Sequence, residues 1–394
     1  MNCPEYVKKA LDIISESGHE AFIVGGALRD MMLLRETHDY DIATSALPEE
    51  TVEIFSDHQV IKTGLKHGTV TVIIDKTPVE ITTYRVDGNY KDSRHPEQVS
   101  FARRIEDDLS RRDFTVNAMA YNGSRGVVDL FGGKEDLYAK MIRAVGNPKE
   151  RFEEDALRIL RAFRFASKLE FDIEEKTLLA AKECREGLFN ISAERKSVEL
   201  EGILLGKGVE KSLFLMKKSG VLEVLLGGIT LSDREISLVS ALPYDFACRL
   251  AFCLIGKNGA DELVSSMKLS NALSSKVRKL KKFCEERLEV ENDFKLRKLM
   301  AAAGDDLMML IEMKKVMGED FSGVFERAEK IRKRGDCLFI KDLAVNGKDL
   351  AELGICGKDI GNALESLLEY VYENPQDNTK KVLMEKAKRF VSKQ

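Results

Sequence analysis

The sequence has no tryptophan, only seven prolines and only five histidines among its 394 residues. No histidine lies beyond position 95, which excludes a histidine-based metal site or general base from residues 96–394. The seven cysteines are scattered and form no CxxC pair, so the sequence indicates neither a zinc site nor a disulfide framework. No run approaches about 18 uncharged apolar residues and the first residues lack an apolar signal core, so we expect a cytoplasmic protein without a membrane span.

The sequence also lacks an excess of basic charge. The 62 lysines and arginines are outnumbered by 66 aspartates and glutamates, which gives a net charge of −4. A uniformly basic coat for nucleic acid is therefore excluded, and any such contact must be local. The length suits two or three domains of about 150 residues. The hydrophobic share of 44% and the charged share of 32% are typical of a globular chain.

The hydrophobic periodicity changes near residue 145. Alternating, β-type runs occur before that point, at residues 21–24, 40–42, 68–74, 79–84 and 126–130. Helical patterns interrupt them at residues 4–17, 27–34, 48–56 and 106–121. Helical patterns then follow almost without a break, at residues 151–169, 174–186, 192–205, 209–217, 245–256, 272–289 and 359–373. The sequence therefore predicts an α/β or α+β domain with a small mixed sheet, followed by an all-helical region.

A glycine turn follows the first predicted strand. Gly25 and Gly26 come directly after it, and Arg29 lies in the helix that follows. A strand, a glycine turn and a helix start aim backbone N–H groups at one spot, which suits a phosphate, and an arginine adds a forked donor. The segment matches neither a Walker A loop nor GxGxxG. On its own it also fits an ordinary tight turn with a surface arginine.

Two carboxylates, Asp39 and Asp41, follow nine residues after the glycine-turn segment. On a strand, residues i and i+2 face the same side, so both carboxylates would reach one divalent cation, and oxygen ligands suit Mg²⁺. Glu80 in the strand pattern at 79–84 offers a third carboxylate for a two-metal site. A DxD triplet alone is common at solvated strand ends. Its position after the glycine turn favours the metal site.

An arginine-rich segment begins at Arg111. The segment to residue 121 is compatible with a helix whose polar face carries Arg112, Asp113 and Asn117. These side chains suit a triphosphate and ribose hydroxyls. A capped surface helix with ordinary ion pairs explains the segment equally well.

A second arginine-rich helix is predicted over residues 151–169, with Asp155 and Arg158 three positions apart and so on one face. An ionised aspartate only accepts hydrogen bonds and an arginine only donates them. The pair matches the edges of adenine and cytosine, which carry an amino group beside a ring acceptor, and not those of guanine and uracil. Glu154 would orient the arginine. The alternative is a solvated ion pair, worth about 0.2–0.5 kcal/mol.

Taken together, these segments have a recognisable order: GGALRD at 25–30, DYD at 39–41, RRDFTVNAMA at 111–120, DLFGGKEDL at 129–137 and EDALRILRAFRFA at 154–166. They resemble the head-and-neck motifs of class II tRNA nucleotidyltransferases, the CCA-adding enzymes related to bacterial poly(A) polymerases. Residues 191–195 with Glu199 resemble the end of that family's neck, and residues 342–350 resemble its tail.

The resemblance implies roles for the matching positions. It implies that Asp39 and Asp41 bind the catalytic metal, and that Gly26 and Arg29 contact the nucleotide phosphates. It implies that Arg112 binds the nucleotide, with Asp113 near the ribose. Asp155 and Arg158 would read the base, and Arg161 and Arg164 would complete the nucleotide site. Glu80 as a third carboxylate comes from our strand placement rather than from the family.

The resemblance implies an architecture of four parts. We expect a DNA polymerase β-type catalytic head at residues 1–145, a helical neck with the base-reading helix at 146–208, a helical body at 209–334 and a helical, tRNA-binding tail at 335–394. The expected activity is addition of C, C and A from CTP and ATP to the 3′ end of tRNA, with Mg²⁺ and release of pyrophosphate.

Three alternatives stay open at this point. An A-only tRNA transferase and a poly(A) polymerase share the head, and a non-catalytic RNA-binding protein could carry a vestigial one. The loop-like stretch 85–99 resembles the flexible loop that the family uses to add the terminal A, which argues against a CC-only enzyme. Basic clusters at residues 276–282, 330–334 and 380–393 are candidates for the RNA contact.

Overall fold

A mixed β-sheet occupies the first part of the chain, and helices follow it. The computed structural model describes residues 3–37, 39–87, 99–288 and 290–391. The chain divides into two compact units, the first Met1–Ile236 with Ser266–Lys268 and the second Ser237–Ser265 with Leu269–Gln394. The finer division into head, neck, body and tail stays a prediction.

The strands lie in the first unit. They are β1 Ala21–Val24, β2 Asp41–Thr44, β3 Gln59–Ile61, β4 Thr69–Ile74, β5 Thr77–Thr83, β6 Arg85–Asp87, β7 Val99–Phe101, β8 Met119–Asn122, β9 Gly126–Asp129, β10 Met141–Ile142 and β11 Asp172–Ile173. Seven of them form one sheet in the order β3-β4-β5-β2-β1-β8-β9, while β6 pairs with β7 and β10 with β11. Residues 88–98, the centre of the predicted flexible loop, lie outside the described residues.

The centre of the sheet fixes the surroundings of Asp41. Strand β1 runs antiparallel to β2 and to β8, and Val24 is the register partner of Asp41. Strand β2 runs parallel to β5, where Glu80 is the register partner of Asp41. Side chains of β4 alternate between partly and fully buried, as the period-2 pattern predicts.

Helices make up most of the remaining chain. The first twelve are α1 Glu5–Glu16, α2 Gly25–Met32, α3 Pro48–Ile54, α4 Ile105–Ser110, α5 Gly133–Tyr138, α6 Pro148–Glu154, α7 Leu157–Leu169, α8 Glu175–Cys184, α9 Ala193–Leu204, α10 Val209–Ser219, α11 Val221–Leu225 and α12 Asp233–Val239. The others are α13 Phe246–Cys253, α14 Ala260–Ser266, α15 Asn271–Glu285, α16 Asp293–Ala303, α17 Leu307–Val316, α18 Val324–Arg334, α19 Gly347–Ala351, α20 Lys358–Glu373 and α21 Lys380–Val391. The predicted mixed head and helical remainder are confirmed. None of the helices built from described residues is long and apolar enough to cross a membrane.

The predicted helix over residues 106–121 is wrong. Helix α4 ends at Ser110, a short 3₁₀ turn covers Thr115–Asn117, and strand β8 begins at Met119. The reason is a long-range pairing, because Thr115 N–H donates to the Arg143 carbonyl and Val145 N–H donates to the Asp113 carbonyl. These bonds hold residues 113–115 extended, so tertiary contacts override the local helical pattern.

The predicted helix over residues 151–169 is two helices. Asp155 has an extended backbone between α6 and α7, with φ −144° and ψ 103°. Its carboxylate Oδ1 accepts the Leu157 N–H at 3.0 Å, as an aspartate does at the start of a helix. The interruption therefore lies at one of the two predicted base-reading residues, and Asp155 and Arg158 do not share the face of one continuous helix.

Candidate functional site

One cavity of about 770 Å³ in the first unit brings most of the predicted site residues together. Those that line it are Gly25, Gly26, Arg29, Asp39, Asp41, Arg112, Asp113, Asn117, Asp155, Arg158, Arg161 and Arg164. Glu80 and Glu154 are not among its lining residues. Residues far apart in the sequence, such as Asp41 and Asp155, thus line the same cavity.

The glycine turn forms one wall of the cavity. Gly25 directly follows β1 and has φ +67°, in the left-handed region that favours glycine. A Cβ atom there would lie 3.1 Å from Nη1 of Arg112 and 4.0 Å from Oδ2 of Asp41. The glycine thereby lets the backbone lie beside a carboxylate and a guanidinium.

The two predicted metal carboxylates both line the cavity, although their local structure differs from the prediction. Asp41 begins strand β2, whereas Asp39 precedes the strand, so the i, i+2 relation on one strand is wrong. Burial raises the pKa of Asp41, the charges of Glu80 and Asp39 raise it further, and Arg112 opposes them. A divalent cation would relieve the repulsion between such closely spaced carboxylates, and carboxylate oxygens are suitable ligands for it.

The third metal ligand has weaker support. Glu80 faces Asp41 in the strand register and acts on its charge, but it does not line the cavity. Among the residues that the structure describes, no group of three or more His, Cys, Asp or Glu side chains is arranged to hold a metal. The assignment of Glu80 therefore stays a prediction.

Arg29 and Arg112 are each held by a buried or partly buried carboxylate. Arg29 donates to both oxygens of Asp30, at 2.9 and 3.0 Å, and to Oδ1 of Asn117 at 2.7 Å. Arg112 donates twice to Oδ2 of Asp108, at 3.2 and 2.9 Å. Burial opposes ionisation of Asp108, but Arg112 and a second neighbouring arginine outweigh it and hold its pKa below the usual range. Both guanidinium groups are thus fixed before a ligand arrives.

Arg161 and Arg164 are held in the same way from helix α7. Arg161 donates to Oδ2 of Asp113 at 2.8 Å, and Arg164 donates to Oε2 of Glu199 at 2.6 Å. Asp113 also accepts from Asn117 at 3.3 Å. Burial opposes ionisation of Asp113, yet Arg161 prevails and lowers its pKa. Asp113 is therefore a charged anchor for Arg161 as well as a candidate ribose contact.

The predicted base-reading pair faces the cavity from the break between the two helices. Asp155 accepts from Leu157 N–H on one oxygen and from Nη2 of Arg195, at 3.0 Å, on the other. Arg158 is 8% exposed and donates through Nη1 to Oε2 of Glu154 at 2.6 Å. Its Nη1 and Nη2 also donate to the carbonyls of residues 151 and 111. Glu154 contacts Arg158 from outside the cavity lining, and its role in orienting that arginine stays a prediction.

Sequence reasoning missed several cavity residues, among them Asp108, Phe165, Lys168 and Arg195. The spacing of Asp108, three and four residues before two arginines, was a usable signal for an i, i+3 or i, i+4 ion pair. Phe165 also had a local signal, because Arg161 precedes it by four residues on helix α7. Arg195 offered none, because its partner Asp155 lies on another part of the chain.

Three family models match the chain. "Poly A polymerase head domain" matches residues 21–143, "Probable RNA and SrmB- binding site of polymerase A" matches 170–231, and the model of tRNA nucleotidyltransferase domain 2 matches 248–387. The first of these contains the glycine turn and both carboxylates.

Curated relatives match over nearly the whole chain. A CCA-adding enzyme of Enterococcus faecalis is 35% identical over 407 residues, covering 99% of this chain and 98% of the relative. A CCA-adding enzyme of Limosilactobacillus fermentum is 37% identical, with 97% and 96% covered.

Solved structures agree with these relatives. The CCA-adding enzyme of Bacillus stearothermophilus in complex with CTP superposes with a TM-score of 0.84 at 30% identity, covering 100% of both chains. The Thermotoga maritima CCA-adding enzyme complexed with tRNA has a TM-score of 0.70 at 23% identity, covering 100% of this chain and 96% of the other, which supports the fold alone. The resemblance and the fold predicted from the sequence are confirmed.

Proposed function

This chain belongs to the family of CCA-adding enzymes, and we propose that it adds C, C and A, taken from CTP and ATP, to the 3′ end of tRNA. One observation carries the proposal. A single cavity is lined by two aspartates, a set of anchored arginines and the pair Asp155 and Arg158, which supports a site for metal, phosphate and base contacts together. The base-reading pair stands where a template strand would otherwise be needed.

The reacting end of the cavity lies at Asp39 and Asp41. These carboxylates would hold a divalent cation, which we propose is Mg²⁺ in a two-metal site. The cation would supply the positive charge that activates the tRNA 3′ hydroxyl and stabilises the leaving pyrophosphate. Arg29, Arg161 and Arg164 present guanidinium donors to the triphosphate. Their carboxylate anchors fix those donors in position, which lowers the cost of ordering them on binding.

The selecting end of the cavity lies at Asp155 and Arg158. A carboxylate has about four acceptor sites, so Asp155 can accept an amino N–H of cytosine or adenine besides its two protein bonds. Arg158 has five N–H donors and uses three of them on the protein, so it can also donate to the neighbouring ring nitrogen. Guanine or uracil would set a carbonyl against the carboxylate and a ring N–H against the guanidinium.

A tRNA substrate also favours the cytoplasm as the place of action. The direct test is to incubate the protein with tRNA that lacks CCA and with tRNA that ends in CC, and to sequence the products. We expect CCA on the first substrate and A on the second. Extension of the CC-ended tRNA alone would identify an A-only transferase, a long A tail a poly(A) polymerase, and no extension a non-catalytic RNA-binding protein.

Helix α9 carries a glycine where the Arg164 side chain needs room. A Cβ atom at Gly202 would lie 2.5 Å from Cδ and 2.9 Å from Cγ of Arg164. We expect Gly202→Ala to displace Arg164 from Glu199 and to raise KM for CTP and ATP roughly fivefold, which corresponds to about 1 kcal/mol, the net value of one ordinary hydrogen bond. Stability should change by less than about 1 kcal/mol, because the displaced side chain can swing and alanine favours the helix.

The matched control is Gly361→Ala in helix α20, where a Cβ atom meets nothing within 4 Å. It should stabilise the protein by about 0.5–1 kcal/mol and leave both KM values unchanged. Nucleotide titrations of the transfer rate and urea unfolding measure the two effects. Equal KM values in the two variants would contradict the role of Gly202.

The basic cluster of helix α15 is paired with acids in the second unit. Lys276 contacts Asp245 at 2.8 Å, Lys279 contacts Asp306, and Lys281 contacts a glutamate one turn along at 3.4 Å. By contrast, lysines 330 and 333 of helix α18 are exposed. We therefore expect α18 to contribute more to tRNA binding than α15.

Two double variants that each remove two charges test this. Lys330→Gln with Lys333→Gln should reduce the slope of log affinity against log salt by roughly 1.5, at about 0.7–0.9 per phosphate contact. Lys279→Gln with Lys281→Gln should leave the slope unchanged and lower the melting temperature instead. Filter binding of tRNA across a salt series gives both slopes, and equal slopes in the two variants would show that the prediction is wrong.

A further inference from the structure

Three arginines of the cavity surround one aromatic ring. The guanidinium carbons of Arg164, Arg161 and Arg29 lie 4.4, 5.3 and 5.4 Å from the ring centroid of Phe165. Phe165 is 6% exposed and lines the cavity. Each guanidinium lies over the ring, and all three distances are within the range of about 6 Å in which the quadrupole of a ring face attracts a cation.

A second aromatic ring packs against Phe165 and limits its movement. Phe114, which is fully buried, packs against it edge to face with centroids 5.8 Å apart and planes at 78°. Arg161 lies one helical turn before Phe165 on α7, whereas Arg29 comes from α2. The ring therefore joins charged groups from two elements.

The ring lowers the repulsion that three neighbouring positive charges would otherwise have. Three guanidinium groups around one point repel one another, and each is bonded to a different carboxylate, Asp30, Asp113 or Glu199. An aromatic ring in a partly desolvated site attracts all three at once. An aliphatic side chain of similar size would fill the space without that attraction.

We propose that Phe165 is a positioning residue that holds Arg29, Arg161 and Arg164 together as one binding site for the triphosphate of the incoming nucleotide. The proposal rests on the proposed function for the identity of the ligand. Asp155 and Arg158, which read the base, are held by other residues. Phe165 therefore acts on the affinity for phosphate and not on the choice of base.

The test uses the full-length protein and three probes, CTP, ATP and inorganic tripolyphosphate, in calorimetric titrations. We expect Phe165→Leu to weaken all three by a similar factor, roughly tenfold. Phe165→Met, whose unbranched side chain adapts to irregular spaces, should behave alike and serves if the leucine variant does not fold. Phe165→Tyr keeps the ring and should bind within about threefold of the wild type.

The matched control is Phe163→Leu, which removes a fully buried ring from the same helix, outside the cavity lining. It should lower the melting temperature and leave tripolyphosphate affinity within about twofold. The preference for CTP over UTP should be the same in all variants. A purely structural Phe165 would not separate tripolyphosphate affinity from stability in this way.

Two results would overturn the proposal: wild-type tripolyphosphate affinity in Phe165→Leu, or an equal loss in Phe163→Leu. The proposed function fails separately. If the wild type extends no tRNA while Phe165→Leu still loses tripolyphosphate binding, the ring-centred anion site stands without the CCA-adding activity. If the wild type adds CCA and Phe165→Leu binds tripolyphosphate normally, only the role of Phe165 falls.

Discussion

Replacing Asp41 by asparagine should reduce nucleotide transfer about a thousandfold and at the same time make the metal-free protein no less stable. Asparagine keeps the shape of the side chain but removes the charge that a divalent cation needs, a loss of about 4 kcal/mol in the transition state. The pKa of Asp41 is raised by burial and by Glu80 and Asp39, so its charge destabilises the folded protein in the absence of a cation. Removing that charge removes the repulsion.

Single-turnover incorporation of CMP measures the first effect, and thermal melting in EDTA measures the second. tRNA binding should be nearly unchanged. Asp57→Asn is the matched control, because Asp57 is an exposed aspartate of the same unit outside the cavity lining, and it should retain full activity. If Asp41→Asn kept more than about a tenth of the wild-type rate, the assignment of the metal to this carboxylate would be wrong.

Arg158→Ala should relax the choice of base. It removes the donor that matches the ring nitrogen of cytosine and adenine and that opposes the ring N–H of uracil and guanine. A charge-assisted hydrogen bond is worth about 1.5–3 kcal/mol, so we expect the ratio of kcat/KM for CTP over UTP to fall roughly 10–100-fold. Competition between labelled CTP and UTP on tRNA lacking CCA measures the ratio.

Arg151→Ala is the control for Arg158→Ala. Arg151 donates to the same residue, Glu154, at 2.9 Å, but it does not line the cavity. It should therefore lower stability somewhat and leave the CTP-to-UTP ratio near the wild-type value. An unchanged ratio in Arg158→Ala, or an equal fall in both variants, would refute base reading by this arginine.

The sequence was informative wherever a local pattern coincided with the final structure. The first strand, the glycine turn and the helix at Arg29 follow one another within twelve residues, so periodicity and turn chemistry locate them without knowledge of the rest of the fold. The alternation along β4 likewise predicts its pairing in a half-buried sheet. Secondary structure with a strong local pattern of this kind can be predicted without knowledge of residues distant in the sequence.

The failures have a common physical origin. Residues 113–115 leave the predicted helix because they pair with residues 143–145, and no local pattern contains that information. Asp155 interrupts a segment with a continuous helical pattern because its carboxylate caps the next helix, a signal that was present in the sequence but was outweighed by the periodicity. The two carboxylates at 39 and 41 meet in the cavity although only one of them lies on a strand.

Five of the arginines that line the cavity each have an acidic partner before a nucleotide binds. Arg29, Arg112, Arg158, Arg161 and Arg164 are matched by Asp30, Asp108, Glu154, Asp113 and Glu199 respectively. Nucleotide binding is therefore an exchange of counterions rather than a neutralisation of bare charge. A single phosphate group competes poorly with several built-in carboxylates, whereas three linked phosphates displace them together. We therefore expect the cleft to prefer a triphosphate over a single phosphate group, and to do so by internal charge balance rather than by a physical gate.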